Sequence, residues 1–259
     1  VQPLLFTVEF RRKMAQLPQR DRQEWLASLA ARMRRNPTPR LEEELREVAR
    51  GCRLPLVEAI QKQLGPFDAL HLNAILEVPR ERFVRPEDLE RSAEDVPLPL
   101  DDEGLATISA PHAYLLSFRL LELGPGDSLV ELGTGSGYGA ALCAFIVGTP
   151  GRVTTFEIDP ALVSWAERLL GRHPTVTLHH QDAVTSASRW DGARKVAVTF
   201  AVASLPGAWL AKLPEGGRLV APVGAREADQ RLVLFRREAG RVVETDHGAV
   251  RYVKNRSGR

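Results

Sequence analysis

The sequence predicts an α/β fold: a mostly parallel, doubly wound sheet with helices on both faces, closed by an antiparallel hairpin and preceded by an α-helical region. Three observations carry this expectation. Between residues 128 and 222, short apolar strands alternate with helical stretches, as in parallel strands joined by crossover helices. Residues 231–236 and 241–245 flank Glu238-Ala239-Gly240 and read as a hairpin. Residues 6–64 instead carry apolar residues at spacings of three and four, the helical period.

That spacing predicts helices over 6–17, 21–33, 40–50 and 55–64, with breaks at Pro18, at Asn36-Pro37-Thr38-Pro39, at Gly51 and at Gly65-Pro66. The chain is expected to divide at the last of these, into a helical extension, 1–66, and a larger domain, 67–259. A short helix over 69–76 opens the second part. The stretch Asp95-Val96-Pro97-Leu98-Pro99-Leu100 is too rich in proline for a helix interior, and a helix is expected over 113–122. Strands then fall at 128–132, 153–157, 175–179, 195–201 and 217–222, with helices at 138–147, 160–170 and 206–213. Residues 248–253 read as a further short strand or as a continuation of the hairpin edge.

At 259 residues the chain has length for one large domain, or for one domain with a helical appendage. The formal net charge of +2 gives no reason to expect a nucleic-acid partner. The charge is uneven: residues 1–65 hold 13 Lys/Arg against 8 Asp/Glu, with Arg32, Arg34 and Arg35 clustered. Solvated helix faces commonly look like this. No run of eighteen apolar residues predicts a membrane span, and no charged start leads into an apolar core. A cytoplasmic protein without a membrane partner is expected. Cys52 and Cys143 lie far apart and fit buried, reduced thiols. No CxxC or HExxH spacing occurs, and the adjacent His179 and His180 leave their strand on opposite faces, so no metal is expected.

The stretch from 128 to 157 carries the chemistry. The apolar run 129–132 stops at a turn containing Gly133, Gly135 and Gly137, an apolar helical stretch follows, and the next strand ends in Glu157. Such a unit can cradle an adenosyl group, because glycines let the backbone approach the ligand and a carboxylate accepts from both ribose hydroxyls. Dinucleotide turns read GxGxxG and seat a pyrophosphate on a helix N-terminus. Here Tyr138 stands where the third glycine of that spacing falls. The glycines alternate instead, with Glu131 before them. This run resembles the ExGxGxG of S-adenosylmethionine-dependent methyltransferases, whose ligand carries an ammonium, a carboxylate and a sulfonium. An acid beside the loop suits its cationic parts.

Further segments narrow the resemblance. VPRERFV at 78–84, EDVPLPL at 94–100, ATISAPH at 106–112, LVELGTGSGYGAAL at 129–142 and GGRLVAPVG at 216–224 occur in this order. Together they closely resemble the protein-L-isoaspartate (D-aspartate) O-methyltransferases, over roughly residues 67–253. ISAPH is the specific part, since general methyltransferases lack it. The resemblance implies a Rossmann-like methyltransferase fold with a mixed seven-stranded sheet. It implies S-adenosyl-L-methionine as methyl donor, S-adenosyl-L-homocysteine as product, and a peptide or protein substrate bearing an isoaspartyl or aspartyl carboxylate. In such repair chemistry the methyl ester collapses to a succinimide, which reopens partly to normal aspartate.

By position, the resemblance assigns Glu131, Gly133, Gly135, Gly137, Glu157 and Ile158 to the cofactor. Ile108 and His112 join them on the ligand side, and Asp182 and Ala183 near the adenine. Thr107, Ser109, Ala110 and Thr199 fall to the acceptor, with Ser109 as the catalytic candidate that orients the carboxylate. A carboxylate is already ionised at pH 7, so methyl transfer to it needs no general base. The protein must align oxygen, carbon and sulfur and strip water from the nucleophile. Ser109 also has a plainer reading, as the cap of a helix starting at Pro111, and Asp182 as a loop acid capping a turn.

The chain departs from the family in places. Gln181-Asp182-Ala183 stands for Gly-Asp-Gly. Arg194-Lys195 opens the fourth strand where Tyr-Asp is usual, and bulky Phe200 and Val202 enter a turn that the family keeps small. Lys254-Asn255 follows Val253 in place of Pro-Leu, and typical members lack most of 1–66. Three readings follow. One is general isoaspartyl repair. Another is a dedicated aspartate O-methyltransferase that tailors one ribosomally made peptide or protein, docked on the helical extension. The last is a non-catalytic S-adenosylmethionine-binding module. The intact 106–112 and 129–142 segments favour catalysis, and ISAPH favours repair.

Overall fold

The computed structural model describes residues 14, 16–171, 173–190 and 192–256. The helix expected over 6–17 lies almost wholly outside them. Two long helices, α1 (Gln19–Arg35) and α2 (Pro39–Leu64), pack side by side. The Thr38 side chain accepts from Leu41 N and Pro39 opens the first turn of α2, both favourable at a helix start. The break expected at Gly51 is absent: the two helices expected at 40–50 and 55–64 are one helix of 26 residues. The reason is a compensation from outside. Pro55 has no N–H to give the Gly51 carbonyl four residues back, and the Arg22 guanidinium of α1 donates to that carbonyl at 3.1 Å. Gly51 itself leaves room for Met14, whose Cε would sit 3.3 Å from a Cβ there.

Helix α3 (Ala69–Glu77), capped by Asp68, leads into short 3₁₀ turns at Arg80–Arg82, Pro86–Asp88 and Glu90–Ala93. Arginines fasten the long helices to this region. Arg53 of α2 donates to the Glu81 carboxylate and to the carbonyls of Ile75, Leu76 and Val78. Arg34 of α1 donates to the carbonyls of Glu81 and Val84. A two-stranded ribbon, β1 (Leu98–Pro99) with β2 (Thr107–Ile108), then precedes α4 (Pro111–Leu121).

The main sheet has seven strands: β3 (Ser128–Leu132), β4 (Arg152–Glu157), β5 (Val176–His180), β6 (Lys195–Val198), β7 (Arg218–Val223), β8 (Arg231–Glu238) and β9 (Arg241–Ala249). Their order is β5-β4-β3-β6-β7-β8-β9. The first five run parallel and the last two antiparallel, the mixed Rossmann-like sheet of the methyltransferases. Helices α5 (Tyr138–Val147), α6 (Pro160–Leu170) and α7 (Gly207–Lys212) lie in the crossovers. One apolar cluster runs from Leu26, Val48 and Ile60 of the long helices to Leu115, Leu129 and Leu142. A second gathers Val130, Leu132, Phe156 and Trp209. Neighbours Leu129 and Val130 thus face opposite clusters, as alternation along a strand requires.

Strand β6 stops at Val198 rather than at 201, because Thr199 turns its hydroxyl onto the carbonyls of Leu132 and Gly133, at 2.9 and 2.7 Å. Ala201 and Val202 make only single bridges, to Lys254 and Val223. The hairpin edge continues to Ala249. At its turn Ala239 and Gly240 both have positive φ, the conformation that a two-residue hairpin loop demands, and the Glu215 carboxylate accepts from both N–H groups. Cys52 and Cys143 are buried and free. No described helix is long and apolar enough to cross a membrane. From β3 the chain moves to β4 and β5 on one side, then to β6 and β7 on the other. A crevice opens at the carboxyl ends of strands where such a reversal occurs.

Candidate active site

The glycine loop joins β3 to α5 at that crevice. Gly133 has φ +98°, and a Cβ there would collide with the Thr199 hydroxyl and lie 2.9 Å from Phe200 Cδ1. Gly137 has φ +96° and packs against Leu170, 2.8 Å from where its Cβ would be. A side chain at either position would be strained as well as blocked. Backbone bonds tie the loop to β4: Gly133 N and Thr134 N both donate to the Phe156 carbonyl, at 2.9 and 3.1 Å.

Two acids flank the loop in different surroundings. Glu157, at the end of β4, accepts from Gly135 N at 2.8 Å through Oε2, and from Ile158 N and Asp159 N at 2.9 and 3.0 Å through Oε1. Burial raises its carboxyl above the ordinary range, while those N–H groups and Arg256 pull it back. Glu131 is fully buried one strand over, and burial pushes its carboxyl up to about 8. Its Oε2 accepts from the Thr155 hydroxyl at 2.6 Å, which in turn meets the Thr134 hydroxyl at 2.7 Å. Gly139 makes this possible, since any Cβ there would overlap Glu131 Oε1.

The crevice is lined by Thr107, Gly133, Gly135, Glu157, Ile158, Asp182, Ala183 and Thr199 among others. A smaller cavity adjoins it through Thr107, Gly133, Gly135 and Thr199, and reaches Ile108, Ser109 and Glu131. Its wall includes Ser136 Oγ and Tyr138 OH, both buried and without a hydrogen-bond partner in the protein. Buried polar atoms of this kind call for a polar guest. The sequence-expected residues therefore come together, with three outside both spaces. Gly137 acts one step behind the wall, Ala110 is the residue before α4, and His112 faces Asp95 instead.

Residue Ser109 does not cap α4: Ala110 occupies the cap position, and its methyl can accept no hydrogen bond. The cap comes from Asp95, distant in sequence, whose Oδ1 accepts from His112 N at 3.0 Å and meets His112 Nδ1 at 2.9 Å. Ser109 is instead fixed through its backbone. Its carbonyl accepts from the buried Arg80 at 3.1 Å and its N–H donates to the Tyr114 hydroxyl at 3.3 Å. Arg80 also donates to the carbonyls of Ser92, Glu94 and Val96. Asp182 does cap a turn, accepting from Val184 N at 2.8 Å, and lines the crevice as well.

Of the departures noted in the sequence, Lys195 lies at the start of β6, away from the crevice, where its ammonium meets Asp127 and the Glu122 carbonyl. Val202 is buried in the second cluster. Phe200 does enter the crevice wall, and so does the segment 253–256. No local signal marks that last segment: Arg256, with Asp159 at 3.3 Å and Asp101 at 3.8 Å, is brought there by the fold.

A family model described as Protein-L-isoaspartate(D-aspartate) O-methyltransferase matches residues 56–259. The Protein-L-isoaspartate O-methyltransferase of Pyrobaculum arsenaticum is 42% identical over 153 residues, which cover 58% of this chain and 74% of that protein. Its counterpart from Methanopyrus kandleri is 35% identical over 212 residues, 80% of this chain and 92% of the relative. A solved protein-L-isoaspartate O-methyltransferase structure superposes with a TM-score of 0.71 at 26% identity, covering 78% of this chain and 65% of that one. A Plasmodium falciparum protein described in the same terms, in complex with S-adenosyl-L-homocysteine, shares the fold with a TM-score of 0.67 at 22% identity. A match that runs from the middle of α2 to the last residue, and relatives that span most of their own length, leave one conclusion: this chain belongs to the protein-L-isoaspartate (D-aspartate) O-methyltransferase family.

Proposed function

We propose that the chain is a protein carboxyl methyltransferase of the repair type, acting on the free carboxylate of L-isoaspartyl or D-aspartyl residues in peptides or proteins. The observation that carries this reading is the placement of Ser109. It lines the polar cavity beside the glycine loop, and its backbone is held from two sides by Arg80 and Tyr114. S-adenosylmethionine, when bound, supplies a sulfonium methyl group that passes to a carboxylate oxygen while the electron pair of the broken bond stays on sulfur. Everything else is the work of side chains. The crevice with Glu157, Ile158, Asp182 and Ala183 suits the adenosyl part. The cavity with Glu131, Ser136 and Tyr138 offers polar groups to the amino-acid end. The hydroxyls of Ser109 and Thr107, which line the cavity, align the acceptor without a general base.

The test uses labelled S-adenosylmethionine with an isoaspartyl peptide and its normal aspartyl twin. Base-labile label on the isoaspartyl peptide alone supports repair. Label on neither, with cofactor binding intact by calorimetry, rejects it. A dedicated aspartate methyltransferase is the second reading, favoured by the bulk of Phe200 in the crevice wall. It predicts no preference for the isoaspartyl peptide.

A further inference from the structure

We propose that Lys254 binds the acceptor's carboxylate at the mouth of the crevice, as the specificity-determining cation of the acceptor side. The inference rests on the carboxyl-methylation reading above and adds to it the group that draws an anionic acceptor in.

The tail after β9 turns back across the carboxyl ends of the strands and is held there by its backbone. The Gln230 side chain donates to the Tyr252 carbonyl at 3.1 Å and accepts from Tyr252 N at 2.6 Å. Ala201 N donates to the Val253 carbonyl at 2.8 Å, and Asn255 N donates to the Ala201 carbonyl at 3.0 Å. Lys254 is thereby fixed beside Ala201, two residues beyond Thr199. It is exposed, and it lines the crevice together with Thr107, Thr199 and Phe200.

The charges around it single it out. Arg256, the other cation of the tail, is engaged by Asp159 and Asp101. Arg85, on the neighbouring loop, is engaged by Asp102 and Glu87. Among the described residues none pairs with the Lys254 ammonium. The remaining charged groups of the crevice wall, Glu157 and Asp182, are acids. A carboxylate acceptor entering there meets like charge unless a cation balances it, and Lys254 is the cation left over. A point charge on a flexible four-carbon stem can follow a peptide acceptor in a way that a rigid guanidinium fork does not. Bound through one oxygen, the acceptor keeps the other for the methyl. The O–CH3 bond forms as the S–CH3 bond breaks, the electron pair goes to sulfur, and no proton moves. Lys254 therefore acts on binding rather than on the chemical step.

The test is steady-state kinetics on the full chain with an isoaspartyl peptide, comparing wild type with Lys254→Gln, Lys254→Glu and Lys254→Arg. The expected result is a peptide KM raised about tenfold in Lys254→Gln, about 1.4 kcal/mol of binding, more in Lys254→Glu and little in Lys254→Arg. The KM for S-adenosylmethionine and the melting temperature stay at wild-type values. The fall of kcat/KM with added salt, a mark of charge-guided association, shrinks in Lys254→Gln. An unchanged peptide KM and salt slope in both neutral and reversed variants, with wild type active, overturns the role of Lys254 alone. Wild type that methylates neither the isoaspartyl peptide nor its aspartyl twin overturns the methylation reading, and this inference falls with it.

Discussion

The Arg53 guanidinium donates to both carboxylate oxygens of Glu81, at 3.1 and 2.9 Å, with both side chains almost wholly buried. Removing one member of such a pair strands the other charge in the core, at a cost of about 3–5 kcal/mol. Arg53→Met is therefore expected to lower unfolding free energy by that amount in urea denaturation. Arg53→Met combined with Glu81→Leu should recover much of the loss, because no charge is then left buried.

Gly139 and Glu131 share one space. Gly139→Ala would drive the Glu131 carboxyl away from Thr155 or push α5 outward, because the new methyl overlaps Oε1. The expected result is S-adenosylmethionine affinity weakened by about tenfold or more, roughly 1.4 kcal/mol, read by titration calorimetry on folded protein. Unaltered affinity would remove Glu131 from the cofactor site.

The buried Glu131 carboxyl, held up to about 8, also sets a pH dependence. The folded protein keeps a proton that the unfolded chain gives up in the ordinary carboxylate range. Between that range and about pH 8 the native state binds more protons, so stability falls as pH rises, and the loss is complete above about 8. Denaturation midpoints from pH 5 to 9 should fall across that window in wild type. They should be flatter in Glu131→Gln, which is neutral throughout.

Asp95 caps α4 from outside the helix and holds the His112 ring. Asp95→Ala is expected to cost about 1 kcal/mol of stability, the ordinary worth of a helix cap, as measured by thermal unfolding. The pairing holds the Asp95 carboxyl low even though burial works the other way. The contribution of Asp95 is thus present above the ordinary carboxylate range and is lost as pH falls through its lowered value.

What could be read from the chain was what the chain encodes locally. The glycine loop, Glu157 and the strand–helix alternation announce themselves through spacing, because one turn and one period fix them. The alternative offered for Asp182, a turn cap, is met in the structure, and it lines the crevice besides. Partnerships across sequence were not legible. Arg80 reaches Ser109 from 29 residues away, and Asp95 reaches His112 from 17. Nothing near Ser109 says that its carbonyl is spoken for, and the helix cap offered as its plainer alternative is not met. The Gly51 and Pro55 pair gave a false break for the same reason, since the bond that repairs the helix comes from Arg22.

That repaired helix has one more consequence. The family match begins at residue 56, directly after Pro55 and midway along α2. The seam between what this chain shares with its family and what precedes it thus falls inside a single rod, not in a linker. Cutting there would split the rod and bare Val57 and Ile60 on its inner side. It would also discard Arg53, the counter-charge of Glu81 in the shared part. The helices before the seam are not luggage to be shed: the shared module leans on them for one of its own buried charges.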